Sequence, residues 1–386
     1  MVNKGIIDAD THVTEPADLW TSRVARRMVA DVPQVRLNPQ GYEVWLVRGQ
    51  PIALTGMGAT AGVGTIQEIP KTRDDALPAA YDPAARVMYM DENGVAASAL
   101  YPNVMGFSCQ RARMIPDQEV RLACVMAYND WLAEWASHDP DRFLPIAGLP
   151  LWDVAASVKE LQRAVALGHR GFLFSGRPQA FGYPVMGDRY WDRLWACASE
   201  LGLPASLHIG SGDTEARHLA EVACYGPAVT LTMKSIDTIL ENACHVAELL
   251  LSGVLARFPG MRFVSVESGV GWVPFVLDAL DYQFRQNDLR FEPGKFDMLP
   301  SEYFVRQVAA TFWFEDEEAE KVVRRLGGTS VMIGSDFPHP TCLYGQTLAE
   351  QAERALSGLP TEVRNGVLAG TASQFYSAER RNPAGI

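Results

Sequence analysis

Short apolar runs of strand length recur along this chain, and almost every one leads into a longer stretch of helical periodicity. The first runs from Gly5-Ile6-Ile7 into Asp10-Thr11-His12, and Glu15-Pro16 stops it with a turn. Seven more follow: Ala96–Tyr101, Phe143–Leu149, Gly171–Phe174, Pro204–Gly210, Arg262–Glu267, Val308–Phe314 and Ser330–Asp336. The helical stretches are Pro83–Asn93, Pro116–His138, Val154–Leu167, Tyr190–Leu201, Ser235–Phe258, Val270–Phe284, Glu317–Leu326, Leu348–Ser357 and Thr361–Tyr376. Gly168, Gly202 and Gly327 stand where helices stop, and Pro274 falls in a first turn. Strands alternating with helices demand parallel pairing through right-handed crossovers. Eight such units predict an α/β fold, a (β/α)8 TIM barrel, for which ~250 residues plus insertions is ordinary. The rival is an open doubly wound sheet, but nothing like GxGxxG follows the first strand.

One region breaks the alternation. Residues 17–82 read as an inserted segment within a single domain spanning 1–386. Asp18–Met28 has the look of a short helix, Tyr42–Gly49 of a hairpin strand, and Gly56–Gly64 of a Gly/Ala/Thr loop. A long connection of this kind is expected to serve as a lid or binding loop.

Composition narrows the class. With 48% hydrophobic and 21% charged residues, the 386-residue chain reads as a globular enzyme. The net charge of −12 and the lack of any basic block argue against nucleic acid as a partner. The apolar runs are too short to span a membrane. Met1–Lys4 leads straight into the first strand with no room for a signal peptide, so the expected compartment is the cytoplasm. The six cysteines form no CxxC pair and read as reduced thiols.

In a barrel, residues at the C-terminal ends of strands meet around one cavity. Asp10 and His12 are two apart, so a strand projects them from one face. The fifth strand ends in His208, the sixth in Glu267 and the eighth in Asp336. Each has a plain alternative: a lone strand-end histidine is usually a hydrogen-bonded core residue, and Asp336 before Phe337-Pro338-His339-Pro340 could simply form a turn or cap a helix. Those alternatives would have to hold separately at matching strand ends. A shared metal site explains them together. Mixed imidazoles and carboxylates suit zinc, manganese or iron(II) better than calcium.

These residues carry a resemblance to the amidohydrolase superfamily, in the branch of aminocarboxymuconate-semialdehyde decarboxylase and the resorcylate decarboxylases. The family's first-strand ligand-x-His pair is matched by Asp10-Thr11-His12, its fifth-strand histidine by His208 and its eighth-strand aspartate by Asp336. Ser252–Pro259 is similar to the helix before its sixth strand. One position departs: Glu267 stands where the family usually has a histidine. The resemblance implies one divalent metal, zinc first with manganese or iron as alternatives, held by Asp10, His12, His208 and Asp336. It implies that a small carboxylated substrate is decarboxylated or hydrolysed through a metal-bound water, with Asp336 accepting a hydrogen bond from that water. Glu267 is the residue expected to transfer a proton, or to become an added ligand. His339 is expected to orient substrate or to cap a helix.

Two alternatives remain open on this reading. Glu267 as a further ligand would suit an iron- or manganese-containing, oxygen-dependent hydroxylase, and a metal-containing structural subunit of such an enzyme is also compatible. Arg48, Lys71, Arg217 and Lys234 are candidates to hold a substrate carboxylate, each weighed against being a solvated surface charge. Trp272, Phe275 and Tyr282 share one helix at spacings that suit core or subunit packing. A homo-oligomer is implied by the resemblance, with a hetero-oligomer as the alternative.

Overall fold

Eight parallel strands pair in one sheet whose order follows the chain. The structure is a computed structural model and describes residues 5–63, 68–212, 222, 224–291, 296–345 and 347–376. Strand β1 (Ile6–His12) is followed by a small antiparallel sheet of β2 (Gln34–Leu37), β3 (Glu43–Val47) and β4 (Gln50–Leu54). The large sheet continues with β5 (Val95–Tyr101), β6 (Phe143–Ala147), β7 (Gly171–Leu173), β8 (Ala205–His208), β9 (Phe263–Val266), β10 (Val308–Phe312) and β11 (Val331–Ile333). Beyond β11 the sheet closes on β1: Asp336 N donates to Asp10 O at 2.9 Å and His12 N to Phe337 O at 2.7 Å. Thr11 and Phe337 bridge in parallel. This is the expected (β/α)8 barrel.

The helices are α1 (Pro83–Glu92), α2 (Gln118–Ala136), α3 (Val154–Ala166), α4 (Asp192–Leu201), α5 (Pro227–Leu251) and α6 (Val254–Arg257). Then come α7 (Val273–Gln286), α8 (Pro300–Gln307), α9 (Glu317–Leu326), α10 (Thr347–Leu356), α11 (Thr361–Asn365) and α12 (Thr371–Tyr376). Asp82, Asp117 and Asp153 cap α1, α2 and α3 by accepting from first-turn amides. Inside the barrel, small residues such as Ala9, Ala99 and Ala309 interdigitate with Ile146, Val264 and Met332. Outside it, Trp191, Trp195 and Phe174 fill the space between strands and helices. All six cysteines are free thiols. Among the described residues no helix is long and apolar enough to cross a membrane.

Several boundaries differ from the sequence reading, each for a local reason. Asp18–Met28 is a series of turns with one 3-10 turn at Arg26–Met28. Thr21 and Ser22 hydroxyls bond back to Asp18 O, competing with a helical ladder, and Trp20 Nε1 is pinned to Cys124 O at 3.0 Å. The stretch expected as one helix over Ser235–Phe258 starts earlier, at Pro227, and breaks at Gly253, whose φ is +74°. The last helix is interrupted by a π turn at Gly366–Gly370. Strands β2 and β4 were not expected; they flank β3 as edges, where polar residues and Pro51 are tolerated. Phe275 and Tyr282 lie exposed on α7, which overturns the core option for both. Trp272 is half-buried against the core.

Candidate functional site

The five strand-end residues singled out in the sequence do converge. β1 carries a register shift between Asp8 and Thr11, and this bulge re-aims the strand after Ala9. Ala9 faces the barrel interior, and Asp10 and His12 then open together into the cavity above it. His12 Nε2 lies 3.6 Å from Asp10 Oδ1 and 3.3 Å from Asp336 Oδ1. His208 Nε2 lies 3.6 Å from both Asp10 Oδ1 and Glu267 Oε2. His339 joins them, its Nδ1 2.8 Å from Asp336 Oδ1. Gly334 is required for this approach, because a Cβ there would stand 2.7 Å from the Cβ of Asp10.

Both strand-end histidines are fixed by a bond at Nδ1. The Nδ1–H of His12 points to Pro102 O at 3.1 Å, and that of His208 to Ile209 O at 2.9 Å. Each therefore turns its Nε2 into the cavity, the nitrogen left to meet a metal. Burial, with help from His339 and His208, pushes the His12 imidazole well below its ordinary value, so it is neutral at pH 7. Glu267 moves the other way: burial first, then the neighbouring Asp336 and Asp10 charges, hold its carboxyl well above the usual carboxylate range. At His339 burial opposes the proton, but Asp336 and then Asp10 and Glu15 outweigh it and raise the imidazole. The Nε2–H of His339 donates to Asn103 Oδ1 at 2.5 Å, since the Asn103 amide nitrogen is committed to Val13 O.

Glu267 and Asp336 both adopt left-handed backbone, with φ of +56° and +59°. Such conformations cost a non-glycine residue about 1–3 kcal/mol each and persist only where surroundings impose them. For Glu267 the restraint is its amide bond to Thr311 Oγ1 at 2.9 Å. Asp336 is held on both sides by the barrel closure.

The donor set fits a divalent metal. Asp10 Oδ1, His12 Nε2 and His208 Nε2 are buried and have no hydrogen-bond partner among the described residues. An unsatisfied buried polar atom costs about 1–3 kcal/mol, so three aimed at one point need a common partner. Two overlapping groups of ligand atoms, Asp10-His12-His208 and His12-Glu267-Asp336-His339, each lie within 4.8 Å of one another. His12 belongs to both.

The substrate-anchor candidates do not gather here. Arg48 pairs with Asp31 at 3.1 Å and Lys71 lies over the Tyr42 ring, both beside the small sheet. Lys234 is half-buried on α5, and Arg217 lies outside the described residues. Three residues that the sequence reading missed line the site instead. Phe107 stacks on His208 at 3.8 Å, Asn103 holds His339, and buried Glu15 fixes the loop by accepting from the Asn103 and Val104 amides. The segment after β4 reaches the same place: Ala61 N donates to Pro338 O at 3.0 Å, and Thr14 Oγ1 to Gly58 O at 3.2 Å.

Comparison with known proteins gives a consistent picture. A family model described as "Amidohydrolase" matches residues 7–378. A gamma-resorcylate decarboxylase of Rhodococcus jostii is 28% identical over 266 residues, covering 66% of this chain and 76% of the relative. An amidohydrolase structure from Mycobacterium avium subsp. paratuberculosis superposes with a TM-score of 0.76 at 21% identity, covering 97% of this chain and 100% of the other. A 5-carboxyvanillate decarboxylase from Novosphingobium aromaticivorans, complexed with manganese and 4-hydroxy-3-methoxy-5-nitrobenzoic acid, superposes at 0.65 with 16% identity, covering 97% and 96%.

Proposed function

The chain belongs to the amidohydrolase family, and on that premise we propose that it is a divalent-metal-dependent carboxy-lyase acting on a small aromatic carboxylic acid. The observation that carries this is the convergence of unpartnered Asp10 Oδ1, His12 Nε2 and His208 Nε2 in a buried cavity. Asp10, His12, His208 and Asp336 are the residues that would hold the metal. When bound, the metal supplies Lewis-acid polarisation of a substrate oxygen. Zinc and manganese both suit two imidazoles with carboxylates. Manganese is the first to test, because a structural neighbour binds it.

The chain's own residues account for the remaining steps. Loss of a carboxylate from a ring carbon requires a proton delivered to that carbon, while the electrons of the breaking C–C bond return to the ring and carbon dioxide departs. Glu267, whose carboxyl is pushed well above the usual carboxylate range by burial and then by the Asp336 and Asp10 charges, is the residue assigned to that delivery. His339, with Nδ1 paired with Asp336 and Nε2 anchored by Asn103, would orient the Asp336 carboxylate in the site. Phe107 stacks on His208, and the segment around Gly58–Ala61 is tied to Thr14 and Pro338 beside the site. The Rhodococcus relative and the Novosphingobium structure are decarboxylases, which favours this outcome over hydrolysis; the oxygen-dependent hydroxylase and structural-subunit readings draw no support from them.

Anaerobic incubation with hydroxylated benzoic acids is expected to release carbon dioxide in proportion to substrate lost. Chelator treatment should abolish the release, and added manganese or zinc should restore it. A hydrolysis product without carbon dioxide, or a strict need for oxygen, would sink the lyase assignment.

We further propose a homo-oligomer in a reducing, cytoplasmic compartment. Val229, Met233, Ile236 and Leu240 line one exposed face of α5, and Phe275 and Tyr282 are exposed on the adjoining α7. Apolar surface of this kind on a chain of net charge −12 is expected to meet a second copy. Light scattering on an eluting column should give a multiple of 42.4 kDa for the wild type and a monomer for Ile236→Lys with Leu240→Lys. A monomeric wild type would remove the proposal.

A further inference from the structure

We infer that Asp8, which lies outside the cavity, is a positioning residue that sets Asp10 and Asp336 in register with each other; the inference rests on the metal-site reading above. Asp8 precedes the inward-facing Ala9 and so points to the other side of β1, near Arg86 and Tyr89 of α1, and is 3% exposed. Its carboxylate reaches across the seam where the barrel closes. Oδ1 accepts from Ser335 N at 2.9 Å and from Asp10 N at 3.3 Å, and Oδ2 accepts from Ser335 Oγ at 2.6 Å. Ser335 Oγ in turn accepts from Phe337 N at 3.0 Å.

Asp336 therefore sits between two anchored neighbours. Ser335 is fixed directly by Asp8, and Phe337 is fixed through the Ser335 hydroxyl. This matters because β11 ends at Ile333, so regular pairing no longer dictates the backbone where Asp336 turns left-handed. The bond to Asp10 N lies at the β1 bulge, the feature that re-aims Asp10 into the cavity. One carboxylate thus restrains the backbone at both aspartates of the candidate metal site, and neither oxygen enters the cavity.

A carboxylate that only strengthens barrel closure would affect melting temperature and nothing else. A positioning residue must also set metal affinity in folded protein. Loss of a residue that orients a ligand typically weakens metal binding by about 10–100-fold. Calorimetric titration of chelator-treated, folded protein with manganese is expected to show a rise of that size in Kd for Asp8→Ala. Asp8→Asn should recover most of it, because the amide oxygen still accepts from Ser335 N and Asp10 N. Ser335→Ala, which keeps those two bonds and loses the link to Phe337, should fall between. A folded Asp8→Ala with the wild-type Kd, or an Asp8→Asn as weak as Asp8→Ala, overturns the inference. Where Asp8→Ala does not fold, Ser335→Ala with an unchanged Kd overturns it instead. Wild-type protein that takes up no manganese or zinc overturns the metal-site reading itself, a separate outcome.

Discussion

His12→Ala should yield a folded protein that neither retains divalent metal nor turns over substrate. His12 is the residue shared by both ligand groups, its Nε2 3.3 Å from Asp336 Oδ1 and 3.6 Å from Asp10 Oδ1. It enters the site neutral, fixed at Nδ1 by Pro102 O, so the wild type loses no affinity to protonation of this imidazole near neutral pH. Removing an orienting partner already costs about 10–100-fold in metal affinity, and removing the ligand itself should exceed that. The ring also stacks on His339 at 3.7 Å, so truncation leaves His339 less well placed. The barrel core is built elsewhere, from apolar side chains that His12→Ala leaves intact, and circular dichroism should match the wild type. Metal content by mass spectrometry checks the result. Unchanged stoichiometry in the variant would defeat the site assignment.

Glu267→Gln should separate the two roles open to that residue. As the proton donor, its loss is expected to lower turnover by about 10²–10⁴-fold with metal content unchanged. As a ligand, its loss should carry the metal away as well. The first outcome follows from the electrostatics: burial and the Asp336 and Asp10 charges keep its proton on well above the usual carboxylate range. The active form is the acid, so activity should fall as pH rises through this raised pKa. That alkaline limb should vanish from the residual activity of Glu267→Gln. A full loss of metal in the variant would reassign Glu267 to the ligands. A wild-type rate with metal retained would remove it from the chemistry altogether.

How much of this was legible without coordinates differs by residue. Asp10, His12, His208, Glu267 and Asp336 were findable because each interrupts an apolar strand at its end, and a parallel barrel brings such ends together. His339 was visible only as a neighbour of Asp336. Phe107, Asn103 and Glu15 carried no periodic signal, since they belong to loops whose side chains are placed by distant contacts. Asp8 did carry a signal, a third charged or polar group at period two with Asp10 and His12, but the bulge sends it to the opposite side.

The sequence by itself determined the alternation of strands and helices, and with it the barrel and the ring of ligand-type residues. Those are consequences of local periodicity and burial, which a chain expresses residue by residue. The tertiary structure alone decided which ring nitrogens face the cavity, that Glu267 stands among the other acid and imidazole groups of the site, and which bond holds the seam. The pair Asp8 and Ser335 is 327 positions apart in the chain. No local pattern encodes a contact of that separation; it exists only once the last strand has closed on the first.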